Sequence, residues 1–416
     1  MSINRREFLV GCSAAVAAMA GAQLRRLAFA APPLQGKDDP ILVVIFLRGG
    51  WDALNVVAPL DGPDREIYER ARPTLRLPLR GKNKLLPLNE LFGLNAACKG
   101  LHEIYRQGDL AFVHAAGMPA DTRSHFDAMD YMELGTPDQK SIGSGWLQRY
   151  ISELASGAPG GLLPVIATEG QPLSLLGIRQ AVVVRDPAEF GLWDNGTTYT
   201  AQMKALRLLH RGDHLLNQAG WRTLDAIEAV ESMQARAYTP AHGARYRDWG
   251  FGLAMRTIAQ MIKMDSGLRV ATVDMGGWDT HQSESWGDGD GILYELLSEL
   301  SDGLTAFYTD MDDLKRRISV LVMSEFGRRL AQNESQGTDH GHGGLMLALG
   351  GGINGGKMLG SFPGLENDQL YDHADLAVTS DFRQVIGEVV APHLVEGALE
   401  NVFPGFVSGA PLGLRV

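Results

Sequence analysis

The stretch "ILVVIFLRGGWD" (residues 41–52) sets seven consecutive aliphatic and aromatic residues before an arginine, a glycine pair, a tryptophan and an aspartate. An unbroken apolar run of this length, rather than an alternating one, is the pattern of a strand covered by helices on both faces. The glycines then let the backbone turn tightly where it leaves the sheet. The letters GGWD return at residues 276–279, inside "VDMGGWDTH" and again straight after an apolar run. Two strands that end alike predict two carboxylates, Asp52 and Asp279, at the same edge of one sheet.

Working outward, similar short apolar runs occupy residues 110–115, 163–167, 181–184, 268–273, 318–323 and 345–349. Between them, residues 94–106, 204–216, 221–236, 248–264 and 292–316 repeat apolar positions three and four apart, the spacing of a helix with one buried face. This β-α alternation predicts an α/β fold with a mostly parallel sheet. No Ser- or Pro-rich linker divides residues 31–416, which read as one domain, with a mostly helical insertion over about residues 170–246.

With 416 residues, of which 45% are hydrophobic, the chain can bury a large core. Its net charge of -11 argues against general nucleic-acid binding, which needs clustered Lys and Arg to neutralise phosphates. Residues 1–30 pair Arg5-Arg6 with a weakly apolar, Ala-rich run and a small-x-small site at Ala28-Phe29-Ala30. That combination predicts a twin-arginine signal, hence the export machinery as a partner and a periplasmic location. Leu9-Val10-Gly11-Cys12 has the letters of a lipobox, but most of the apolar run lies after it, so Cys12 reads as part of the signal. Cleavage after Ala30 leaves Cys98 as the single cysteine, which excludes an internal disulfide and a cysteine-based metal site. No later segment is long and apolar enough to span a bilayer.

Open α/β sheets bind ligands beyond the carboxyl ends of their strands. The segments expected there carry Arg48 and Asp52, Ser124, Asp279 and His281, Glu325 and Arg328, and finally His340 and His342 from the loop before the run at residues 345–349. Imidazoles mixed with carboxylates suit a divalent cation, Zn or Mn rather than Mg or Ca, because the latter prefer all-oxygen shells. Taken singly, Asp52 or Asp279 is more often a turn residue or helix cap, and Ser124 can cap the helix that begins near His125. Two other motifs are set aside. Residues 351–357 have phosphate-loop spacing, but Met358 stands where a Ser or Thr is needed. Residues 288–291 lack the remaining ligands of a calcium loop.

Together "FLRGGWDALN", "TRSHFDAMDYME", "VDMGGWDTH", "VMSEFGRR", "GTDHGHGG" and "GGGINGGKMLGSFPGL" resemble domain of unknown function family 1501, an exported bacterial family related to the alkaline phosphatase and sulfatase superfamily. The resemblance implies a doubly wound sheet with one or two metal ions at its carboxyl edge and a hydroxyl nucleophile acting on small-molecule or polymer phosphate or sulfate esters. By motif, Ser124 matches the nucleophile, and Asp279 and His281 match one metal position completed by His340 or His342. Asp52 and Glu325 match the second metal, and Arg48 and Arg328 would clamp an anionic ester oxygen. Here the spacing is Asp-x-His rather than the wider one of the superfamily, and Phe326 follows Glu325 where a histidine is expected. A single-metal site and a binding protein without turnover therefore both stay open.

Overall fold

A computed structural model describes residues 39–154, 165–178, 181–192, 198–234, 238–285 and 290–415. The twin-arginine segment with Cys12, residues 163–164 of the third apolar run and residues 288–289 lie outside the described residues. The main sheet is built from β1 (Ile41–Leu47), β2 (Leu110–Gly117), β3 (Val165–Ala167), β4 (Ala181–Val183), β5 (Val270–Met275), β6 (Ile318–Met323), β7 (Gly344–Gly350), β8 (Lys357–Leu359) and β9 (Ser380–Asp381). Its order is β8-β2-β7-β6-β1-β5-β3-β4, with β9 also pairing β2. Every pair is parallel except those of β7, which runs antiparallel to both β2 and β6.

The helices include α1 (Lys99–Gln107), α2 (His125–Leu134), α3 (Trp146–Ser152), α4 (Tyr199–Leu209), α5 (Leu215–Gln234), α6 (Gly250–Lys263), α7 (Ile292–Asp310) and α8 (Phe382–Val390), with further helices at Ala53–Val56, Gly62–Ala71 and Leu399–Val402. Side-chain alternation along β1 feeds two cores. Val43, Ile45 and Leu47 join Leu101 and Ile104 of α1, Met255 and Ile258 of α6, and Leu297 and Leu304 of α7. Leu42, Val44 and Phe46 join Met132 of α2, Trp146 and Tyr150 of α3, and Val385 and Val389 of α8. Each large side chain removed from water in this way stabilises the fold by about 1.5–3 kcal/mol. The apolar run of β1 is unbroken because both of its faces are covered.

Some boundaries differ from the periodicity. Helix α1 starts at Lys99, since residues Phe92–Leu94 form the middle strand of a small antiparallel sheet with Val57–Pro59 and Leu86–Pro87. Asn95 then caps a short turn by accepting from the Ala97 N–H. The helical pattern over residues 204–216 is broken at Leu209 by a turn containing Gly212, at φ +125°, and resumes as α5. The glycine-rich residues 351–356 form the connection from β7 to β8. Cys98 is buried as a free thiol, and no described helix is long and apolar enough to cross a membrane.

Candidate metal centre

Because β1 lies beside β5 with Leu47 opposite Met275, the two GGWD turns leave the sheet side by side. Gly49, at φ +128°, permits their close approach: a Cβ there would lie 2.4 Å from the Asp279 nitrogen. Trp51 and Trp278 pack edge to face at 5.8 Å beneath the turns. The fully buried Arg328 ties the turns together by donating to the carbonyls of Gly49, Gly50 and Trp278, and it also reaches Thr338 O and Asp279 Oδ1. Its guanidinium is thus spent on scaffolding and on aiming Asp279.

Asp279 is one corner of a polar cluster. His340 Nε2 lies 2.9 Å from His125 Nε2, 2.9 Å from His281 Nε2 and 3.1 Å from Asp279 Oδ1. His125 Nε2 and His281 Nε2 stand 3.4 and 3.1 Å from the same carboxylate oxygen. Each imidazole has its other nitrogen on an acceptor. His125 Nδ1 is 2.7 Å from Glu325 Oε1, His281 Nδ1 is 3.2 Å from Asp339 Oδ1, and His340 Nδ1 is 2.9 Å from Arg123 O. Where Nδ1 carries the hydrogen, Nε2 offers a lone pair; those of His125 and His340 form one group with the Asp279 carboxylate, all within 4.8 Å, and His281 adjoins that group through His340 and Asp279. Two imidazole nitrogens and a carboxylate oxygen this close need either a shared proton or a cation among them. This two-histidine, one-aspartate group fits a metal ion, and mixed imidazole and carboxylate donors suit Zn.

Local electrostatics follow from these contacts. The hydrogen bond to Glu325 raises the His125 pKa despite partial burial, whereas burial lowers that of His340. Burial pushes the Asp279 carboxyl up, but Arg328 outweighs it and leaves the pKa below the usual value. Asp279 remains about half exposed, so the cluster opens to solvent. Phe326 forms a wall against the His125 and His340 rings at 4.8 and 5.1 Å.

The other expected site residues are placed differently. Asp52 is fully buried and pairs with Arg72 through both carboxylate oxygens, which takes it out of the ligand set. Burial raises its pKa but Arg72 brings it down, and the adjacent Glu284 is pushed up to about 8 by burial and by the Asp52 charge. Glu284 accepts from Thr280 Oγ1 and Thr338 Oγ1, pinning both loops that carry cluster residues. Glu325 is buried and accepts from Gly49 N and His125, so it orients a histidine instead of facing the cluster itself. His342 turns away and stacks on Tyr371 at 4.1 Å. Arg48 is held by Glu133 and Asp274, which commits its guanidinium to two carboxylates of the protein itself. Ser124 caps α2 by accepting from the Asp127 N–H and directly precedes His125.

His125 and Asp339 escaped the sequence reading. Each adjoins a residue that was singled out, Ser124 and His340 respectively, and only the strand order shows that they face the same point. A second group, His242 with Asp312 and Asp313, is exposed on the surface.

A mostly parallel α/β sheet with a cluster of histidines and an aspartate beyond its strand ends defines the class of protein. The chain belongs to the family described as "Protein of unknown function (DUF1501)", which matches residues 109–391. No functionally curated protein matches it by sequence. Among solved structures it is similar to a protein in the alkaline phosphatase superfamily from Vibrio parahaemolyticus, with 10% identity and a TM-score of 0.32, covering 80% of this chain and 64% of that one. The chain therefore spans less than two thirds of the Vibrio protein. It is also similar to Ps i-CgsB, crystallised with k-i-k-neocarrahexaose, with 7% identity and a TM-score of 0.34, covering 88% of this chain and 76% of that one. A third is alkaline phosphatase from the Antarctic bacterium TAB5, with 11% identity and a TM-score of 0.27, covering 76% and 93%.

Proposed function

We propose that the protein is an exported, single-metal hydrolase or transferase of phosphate or sulfate esters. His125, His340 and Asp279, with His281 beside them, would hold a Zn or Mn ion, and the observation that carries this reading is the convergence of His125 Nε2, His340 Nε2 and the Asp279 carboxylate, with the Nδ1 partners of both histidines already fixed. When bound, such an ion lowers the pKa of a coordinated hydroxyl or water and balances developing negative charge. Ser124 is the proposed nucleophile. Its oxygen sits at the positive end of the α2 dipole, and the residue directly precedes His125 in the chain. It would bond to phosphorus or sulfur as the alcohol leaves, and water would later release the anion and restore the serine. Asp52 and Glu325, committed to Arg72 and His125, leave a second ion without those ligands. The ester class follows from the motif resemblance.

A binding protein without turnover is the second reading, supported by the fact that Arg48 and Arg328 are both engaged within the protein. One experiment separates them: metal analysis of the purified protein together with hydrolysis of aryl phosphate and aryl sulfate esters by wild type and Ser124→Ala. The hydrolase reading expects about one equivalent of metal in both proteins and turnover only in the wild type. Metal without turnover in the wild type selects the binding reading. Absence of metal after reconstitution with Zn and Mn overturns the hydrolase reading.

A further inference from the structure

Helices α4 and α5 form a hairpin held to the main core by Ala226 and Val230 and closed internally by Met203, Leu224 and Ile227. Its far end has an unusual composition. Leu208, Leu209, Leu216 and Trp221 are 47%, 50%, 66% and 36% exposed, although they lie within fourteen residues of one another. The Arg207 guanidinium stacks over the Trp221 ring at 4.7 Å, so the two helices bring their exposed apolar residues to the same end. Over residues 204–222, Lys204, Arg207, Arg211 and Arg222 stand against Asp213 alone, a local net charge of +3 in a chain whose total is -11. Asp225 and Glu228, just beyond that span, both pair with Arg207 and bring the net charge of the tip to +1, while Lys204 and Arg211 are exposed.

We infer that this tip docks the protein onto an anionic phospholipid surface. Apolar side chains beside basic ones, with an aromatic ring of mixed character between them, match the headgroup boundary of a bilayer, where the chains enter the acyl edge and the cations meet phosphate. A second copy fits less well, because a two-fold contact would set the same positive patch against itself. No described helix is a membrane-spanning candidate, so the attachment is peripheral. The inference stands apart from the metal reading, since it uses none of the cluster residues.

The test is sedimentation of the whole protein with vesicles of phosphatidylcholine alone and of equal parts phosphatidylcholine and phosphatidylglycerol. Wild type is expected to partition onto the anionic vesicles only and to be released by high salt. Lys204→Gln with Arg211→Gln should lower that partition by roughly thirtyfold. Leu208→Ser with Leu209→Ser and Leu216→Ser should abolish it without moving the melting temperature, because these side chains are exposed. Failure to bind anionic vesicles, equal binding to neutral ones, or undiminished binding by both variants overturns the inference. A dimer in solution that the leucine substitutions dissociate would assign the patch to a second copy and overturn it as well.

Discussion

Two buried carboxylates near the cluster have different consequences, and substitution distinguishes them. Glu325 holds His125 by its Nδ1 hydrogen, so Glu325→Gln is expected to weaken metal affinity by about 10–100-fold while keeping the ligand count. Competition with a chromophoric chelator measures this, and unchanged affinity would remove Glu325 from the role of orienting partner. Asp52 is instead the counter-ion of Arg72. Asp52→Ala leaves a buried guanidinium without its carboxylate and is expected to cost about 3–5 kcal/mol in denaturant unfolding, with the metal stoichiometry of the folded protein unchanged. Loss of metal with little loss of stability would return Asp52 to the ligand set. The GGWD letters are therefore alike in backbone role and different in side-chain role: Asp52 enters a short helix and faces inward, whereas Asp279 continues into a loop and faces the histidines.

Among the elements, the paired turns after β1 and β5 depend on Gly49. Adding a Cβ at a positive φ and against the Asp279 backbone gives Gly49→Ala an expected penalty of about 3 kcal/mol, measured by chemical denaturation. A variant as stable as wild type would show that the turns can separate freely. The glycine pairs after apolar runs made these turns legible in the sequence, and the runs themselves marked seven of the main-sheet strands because a doubly covered strand has no polar face to interrupt it. Strand direction was not legible, since an apolar run reads the same either way. Nor were partners. Nothing local distinguishes His340, which meets Asp279, from His342, which meets Tyr371, two positions along the same loop. Arg72, which claims Asp52, comes from a helix-end position with no motif of its own. His125 needed the strand order, because its neighbours in space are 200 and 215 positions away.

For the molecule as a whole, the network under the cluster predicts a pH dependence of stability. Glu284 has an ordinary pKa near 4.5 when unfolded and is raised to about 8 in the fold. The folded chain then retains a proton that the unfolded chain has lost, so this group lowers stability progressively as pH rises from 4.5 to about 8. Glu284→Gln is expected to flatten that decline in melting temperature across the window, and an identical slope in the variant would show that Glu284 does not cause it. The antiparallel β7 has a consequence in time. It lies between β2 and β6 in the sheet order yet comes after both in the chain, and the segment leading into it brings His340. During synthesis the middle of the sheet stays open until this late strand has emerged and inserted, a slow, long-range step. A chain truncated before His340 lacks a member of the cluster, so a captured ion would report that synthesis had passed this residue and that folding had carried it to His125.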